Sequence, residues 1–205
     1  MSSPFSVLSL KNQSQDPLGF ANDLGLNFMQ WGFCGIKDHS IDKELVREVV
    51  DIFGHFFSLS DEVKKQYYDS SLGGSRGYTP YKIETPKGGA SPDMKEFWHV
   101  GRELSPDHSY QQWMPSNYVV EEIPNFQEKT KELYDQFDKL GKTILTSIAL
   151  YLDLEETYFD EVVNEGNSLM RSIHYPAVAS SEKGERAGAH EDINLITLLI
   201  GGHQS

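Results

Sequence analysis

His190-Glu191-Asp192, running into Ile193-Asn194-Leu195-Ile196-Thr197-Leu198-Leu199-Ile200, decides how this chain is read. In an extended strand side chains alternate between faces, so His190 and Asp192 project to one side and Glu191 to the other. One imidazole and one carboxylate on a single strand are two of the three protein ligands in a facial non-haem Fe(II) site. A bare His-x-Asp is a weak pattern in a chain with 7 histidines, and a solvated strand end is its plain alternative. The surrounding sequence has to decide between them.

Working back from this stretch, residues 177–186 form a polar connection, and residues 169–175 predict a strand ended by Pro176. Before them, residues 155–164 predict a short acidic helix closed by Gly166. Phe126, Leu133, Phe137, Leu140, Ile144 and Ile148 recur at helical spacing after Pro124-Asn125, the stripe of one long helix. Residues 70–118 are richer in Gly, Pro and Ser and are read as loops and strands, including Arg76-Gly77-Tyr78 and Glu96-Phe97-Trp98-His99-Val100. Leu45, Val46, Val49, Ile52, Phe53, Phe56 and Phe57 predict a helix over 42–59, with Ser60-Asp61-Glu62 capping a shorter one through Lys65. The opening reads as a strand over 6–10, a Gly-interrupted helix over 16–31, a second strand over 33–36 and a turn. Helices therefore come first and a sheet follows near the carboxyl end.

Composition narrows the class. With 38% hydrophobic and 12% aromatic residues, 205 residues suffice for one folded domain with its own core. A formal charge of −13 argues against nucleic acid as a partner. The single cysteine, Cys34, rules out an internal disulfide or a cysteine-built metal cage and reads as a small apolar residue. No apolar run approaches the ~20 residues that cross a bilayer, and no secretory signal opens the chain, so no membrane partner and a cytoplasmic location are expected.

Trp31-Gly32-Phe33, Ser75-Arg76-Gly77-Tyr78, Lys95-Glu96-Phe97, the segment from Arg171 to Pro176 and the segment from His190 to Leu199 stand in an order that resembles one family. It is that of the iron(II)- and 2-oxoglutarate-dependent oxygenases, in the branch containing isopenicillin N synthase. The resemblance covers most of the chain, and its last segment is the most specific. It implies that His190 and Asp192 are metal ligands and that Tyr175 holds a carboxylate of cosubstrate or substrate. Arg76 is similar to an arginine that contacts substrate in the penicillin-forming members; a solvated residue in a Gly-rich loop is the alternative. His174 is expected to be a strand residue, and His99 a packing residue rather than part of a pocket. The implied cofactors are Fe(II), 2-oxoglutarate as cosubstrate and dioxygen. The implied reaction oxidises an unactivated C–H bond of a small-molecule substrate while 2-oxoglutarate is decarboxylated to succinate.

The family's distal histidine and its Arg-x-Ser pair lie several strands beyond His-x-Asp, whereas here only Gly201-Gly202-His203-Gln204-Ser205 follows the apolar run. At ~3.3 Å per residue, His203 would stand tens of ångströms from His190 and is not expected to be the third ligand. The expectation is an α+β fold. A helical amino-terminal region (residues 1–168) is followed by an incomplete double-stranded β-helix, or jelly-roll, whose first metal-site strands are residues 169–205, in a single oxygenase domain. Two other readings stay open: an isopenicillin N synthase-type Fe(II) oxidase without 2-oxoglutarate, and a truncated, catalytically silent binding protein. An unpaired carboxyl-terminal strand is expected to favour self-association.

Overall fold

A computed structural model describes residues 5–85, 91–178 and 184–200. The chain is α+β and divides into two compact units. The first comprises residues 1–42 and 135–166, the second residues 43–134 and 167–205.

In the first unit β1 (Val7–Ser9) pairs in parallel with β2 (Gly35–Lys37), Leu8 opposite Ile36. Between them run α1 (Lys11–Gln15) and α2 (Pro17–Trp31). Asp16 sets the start of α2, where its carboxylate accepts from the Gly19 N–H at 3.0 Å while Pro17 takes the first helical position. Phe20, Ala21 and Leu24 form the buried side of α2. Asn27 is buried with them and paired, its amide oxygen accepting from Ser6 N (3.2 Å) and its amide nitrogen donating to Asp23 O (2.8 Å). α1 was not expected: all five of its residues are at least partly exposed, so no apolar period marks it.

The second unit holds the antiparallel sheet β3 (Gly77–Thr79), β4 (Glu96–Gly101) and β5 (Leu169–His174), in the order β3-β4-β5. α3 (Lys43–Ser58) buries Leu45, Val49, Phe53, Phe56 and Phe57, the face read from its periodicity. α4 (Asp61–Lys65) is capped by Ser60 as expected. α5 (Phe126–Tyr151), of which residues 126–134 belong to this unit and 135–151 to the first, carries the predicted stripe; Tyr134 and Leu145 are buried alongside it, while Phe137 and Ile148 are only half-buried. α6 (Asp160–Val163), part of the first unit, is shorter than the expected acidic helix.

Aromatic rings fill the core of this unit. Phe56 lies 4.6 Å from Trp98, 5.6 Å from Tyr78 and 5.9 Å from Tyr67 between ring centroids, and Trp98 lies 5.0 Å from Phe126, mostly edge to face. Gly77 opens β3 at φ 71°, and a Cβ there would lie 2.5 Å from the Tyr67 carbonyl oxygen, so only glycine fits.

One expectation fails here. Residues 188–200 form no strand; they run as irregular chain with a bend at 194–195. The apolar run has strand propensity, but a strand needs a ladder partner, and among the described residues this segment has none. The expected unpaired strand edge is therefore absent, although Ile193, Leu195 and Leu199 remain exposed. His203 lies outside the described residues.

Candidate metal centre

The register of the sheet sorts the polar residues onto two faces. Glu96 stands opposite His174 and Trp98 opposite Ser172, while Phe97 stands opposite Ile173 and His99 opposite Arg171. Alternation then puts Glu96, Trp98 and Val100 on one face and Phe97, His99 and Gly101 on the other.

On the first face the buried Glu96 carboxylate is fully engaged. One oxygen accepts from Lys64 Nζ at 2.9 Å and from the Tyr78 hydroxyl, and the other accepts from His174 Nδ1 at 2.8 Å. The His174 ring also stacks on Phe57, 5.1 Å between centroids. His174 is thus a strand residue turned to the packed face, as expected.

The second face carries a longer chain of contacts. His99 is buried, its Nδ1 meets the Gly74 carbonyl, and its Nε2 accepts from Arg171 Nε at 2.7 Å. That pattern fixes a neutral imidazole protonated on Nδ1. Burial draws its pKa down from 6.5 to about 4; the Arg171 and Arg76 charges act in the same direction and the Gly74 carbonyl acts against them. The Arg171 guanidinium lies 4.2 Å over the Phe97 ring and reaches Glu84 at 3.2 and 3.4 Å. Lys95 bridges Glu84 at 2.6 Å and Asp93 at 2.8 Å. Burial pushes both carboxyls up, but Lys95 outweighs it, helped by Arg171 at Glu84 and by a backbone N–H at Asp93, and holds both below their usual range.

Asp93 in turn touches the segment that opened the sequence reading. Its Oδ1 accepts from the Gly188 N–H at 2.8 Å. The Gly188 carbonyl accepts from His190 Nδ1 at 2.8 Å, so in the neutral ring the lone pair is on Nε2. His190 Nε2 stands 3.4 Å from Asp192 Oδ1, and Asp192 Oδ2 accepts from the Thr197 hydroxyl at 2.9 Å. Both side chains are about half exposed. Although 188–200 is not a strand, the i, i+2 pair stands on one side of the chain.

These two donors suit a divalent cation: one neutral imidazole nitrogen with its other nitrogen tied to a carbonyl, and one carboxylate oxygen whose partner oxygen is anchored. Among the described residues no group of three His, Cys, Asp or Glu side chains converges on a metal-sized space. Tyr175 follows β5 directly and is partly exposed, with the Arg186 guanidinium 5.9 Å from its ring centre. Arg76 is elsewhere and is 1% exposed, so it is not a solvated loop residue. Its guanidinium donates to the carbonyls of Ser75 (2.7 Å) and Arg102 (3.3 Å) and to Asn167 Oδ1 (3.4 Å). Gly101 makes that possible: a Cβ there would lie 2.0 Å from the guanidinium carbon. Sequence reasoning gave no role to Asp93, Glu84 or Arg171. The signal available was Asp93-x-Lys95, opposite charges two residues apart just before the aromatic strand segment Phe97-Trp98.

Residues 4–122 match the family model described as non-haem dioxygenase in morphine synthesis, N-terminal. The chain belongs to the iron(II)- and 2-oxoglutarate-dependent oxygenase superfamily. It is 33% identical over 183 residues to the 2-oxoglutarate-Fe(II) type oxidoreductase hxnY of Emericella nidulans, covering 82% of this chain and 51% of that protein. Among solved structures, a putative 2OG-Fe(II) oxygenase family protein from Caulobacter crescentus superposes with a TM-score of 0.78 at 39% identity, over 86% of this chain and 58% of the other. A full-length Neurospora crassa protein in complex with alpha-KG superposes with a TM-score of 0.74 at 26% identity, over 89% and 59%. The chain thus spans about half the length of the curated oxygenases it matches. Among the described residues, no helix is long and apolar enough to cross a membrane.

Proposed function

We propose that the protein carrying this chain is a non-haem Fe(II)- and 2-oxoglutarate-dependent dioxygenase, oxidising an unactivated C–H bond of a small molecule and releasing succinate and carbon dioxide. The observation that carries the reading is the His190–Asp192 pair, 3.4 Å apart with His190 Nδ1 tied to a carbonyl. The alpha-KG bound in the Neurospora crassa structure supports 2-oxoglutarate as cosubstrate. When bound, Fe(II) supplies the reaction with dioxygen, and 2-oxoglutarate supplies the two electrons that a C–H oxidation leaves outstanding.

This chain's residues then do the following. His190 offers Nε2 while its Nδ1–H stays hydrogen-bonded to Gly188 O. Asp192 offers Oδ1 and offsets part of the metal's charge, with Thr197 holding Oδ2. Tyr175, at the end of β5, donates its phenol to a carboxylate of the cosubstrate. Arg76, the substrate contact that the family resemblance suggests, is buried, and its Nε has no hydrogen-bond partner among the described residues. The 205 residues form the amino-terminal part of one oxygenase domain, with β3, β4 and β5 leading into a jelly-roll. The exposed Ile193, Leu195 and Leu199 provide a surface for self-association when the chain stands alone.

Asp192→Ala in the full encoded protein is the test. Removing one ligand and its charge is expected to reduce Fe(II) binding and 2-oxoglutarate-dependent succinate release to background. Unchanged succinate release would overturn the assignment of Asp192. Dioxygen consumption that needs iron and substrate but no 2-oxoglutarate would replace the reading with the oxidase alternative.

A further inference from the structure

Outside the proposed ligands, Asp93 makes the contact that bears most directly on them. It is 3% exposed, lies far from His190 in sequence, and is the side chain that holds the backbone just before the ligand pair. Three contacts tie residues 93–94 to residues 184–188. The Asp93 carboxylate accepts from Gly188 N (2.8 Å), Met94 N donates to Glu185 O (2.9 Å), and the Met94 side chain lies against Gly184, 3.3 Å from where a Cβ would stand. Asp93 is itself fixed from two sides: Lys95 Nζ holds Oδ2 at 2.8 Å, and Asp93 N donates to Glu84 O at 2.9 Å.

The consequence lies in Gly188. The peptide on its amino side is gripped by Asp93, and the carbonyl on its carboxyl side accepts the Nδ1 proton of His190. Glycine has the broadest backbone freedom of any residue, so its two flanking peptides are oriented only by what holds them. If the first peptide loosens, the second carbonyl no longer stays in one place, and the imidazole loses the hydrogen bond that selects its tautomer and aim. A metal-ligating histidine depends on such a bond at its other nitrogen, and losing it typically costs 10–100-fold in metal affinity.

We propose that Asp93 is a positioning residue for the metal-binding segment: clamped by Lys95, it fixes Gly188 so that His190 presents Nε2 toward Asp192. This rests on the metal-site reading above. Asp93 touches neither metal nor substrate; it acts through Gly188 and His190.

Two readouts test it. In the metal-free 205-residue chain, amide exchange at Gly188 and the ¹⁵N shifts of the His190 ring are followed by NMR. In the full encoded protein, Co(II) is titrated by its visible absorption. Asp93→Ala is expected to speed Gly188 exchange roughly tenfold, as the loss of one hydrogen bond does. It should also turn the His190 ring from a single Nδ1–H form to a tautomer mixture and weaken Co(II) binding by about tenfold or more. Asp93→Asn, whose single amide oxygen can accept from Gly188 or from Lys95 but not from both, should recover only part of both losses. Lys95 keeps Glu84 in either variant, so its charge is not left alone. If the alanine variant does not fold, Asp93→Ser, too short to reach Gly188, gives the same readings. Wild-type exchange, tautomer and Co(II) affinity in Asp93→Ala, alongside loss of Co(II) binding in His190→Ala, would overturn the role of Asp93 alone. Unchanged Co(II) binding in His190→Ala would overturn the metal-site reading and the role of Asp93 with it.

Discussion

His99 gives this fold a specific weakness to mild acid. The residue is buried and has both ring nitrogens committed, to Gly74 O and to Arg171 Nε. In the unfolded chain it takes up a proton below about pH 6.5, but in the folded chain not until about pH 4. Between those values the unfolded state binds one more proton, so stability falls as pH falls through this window and is fully present above it. At ~1.4 kcal/mol per pH unit, the interval corresponds to roughly 3 kcal/mol at its acid end. Glu84 and Asp93, held below the ordinary carboxylate range, lose their contribution only at still lower pH. The upper part of the window therefore isolates the imidazole. Urea unfolding at pH 7.0, 6.0, 5.0 and 4.5 measures the slope, with His99→Gln as the non-titrating reference, its amide oxygen placed to accept from Arg171. The variant is expected to be less stable at neutral pH and to close most of its gap to the wild type as pH falls. Parallel pH profiles for the two proteins would refute the reasoning.

Phe56→Ala removes the ring at the centre of the aromatic cluster, a fully buried side chain in contact with Phe57, Tyr67, Tyr78, Trp98 and Phe126. A loss of about 3–5 kcal/mol in urea unfolding is expected, and a loss under ~1 kcal/mol would show that this cluster is not the core. Lys95→Met leaves the Glu84 and Asp93 carboxylates without the ammonium between them. It should cost about 3–5 kcal/mol at pH 7, with part of the loss regained near pH 4, where the carboxyls protonate. A variant equally destabilised at both pH values would count against the charge argument.

Much of the scaffold was legible because amphipathic periods report burial directly. The apolar spacing of α3 and most of that of α5 name faces that the structure buries, whereas β4 is buried along its whole length and β5 along none of it. The period says nothing about pairing. Residues 193–200 have the composition of a strand, yet no described strand lies beside them, and they run as irregular chain. The juxtaposition of His190 and Asp192 survived this because it needs only local i, i+2 geometry. The support for that pair was not legible. Asp93, Lys95 and Glu96 are each buried because a partner comes from another segment, Gly188, Glu84 and Lys64, and no periodicity reports such partners. Arg76 misled for the same reason, since a Gly-rich loop suggests exposure while Gly101, on β4, makes room for its guanidinium.

Burying so many charges costs several kcal/mol per ion before pairing, and an apolar sheet would be cheaper to fold. What the charges supply is register. Glu96 meets Lys64, Tyr78 and His174 on one face, and His99 meets Arg171 on the other, with Glu84, Lys95 and Asp93 continuing to Gly188. A slip of β4 by one residue would exchange its faces. Glu96 would then leave Lys64, a buried ammonium whose remaining carboxylate is the exposed Asp61, and His99 would be driven into the aromatic core. Both networks break together, so every competing register carries two uncompensated buried groups at once. The same pairing that rejects a slipped sheet also sets where Lys95, and through it Asp93 and Gly188, must stand. The aim of His190 is therefore inherited from the register of the sheet rather than from the irregular segment on which it lies.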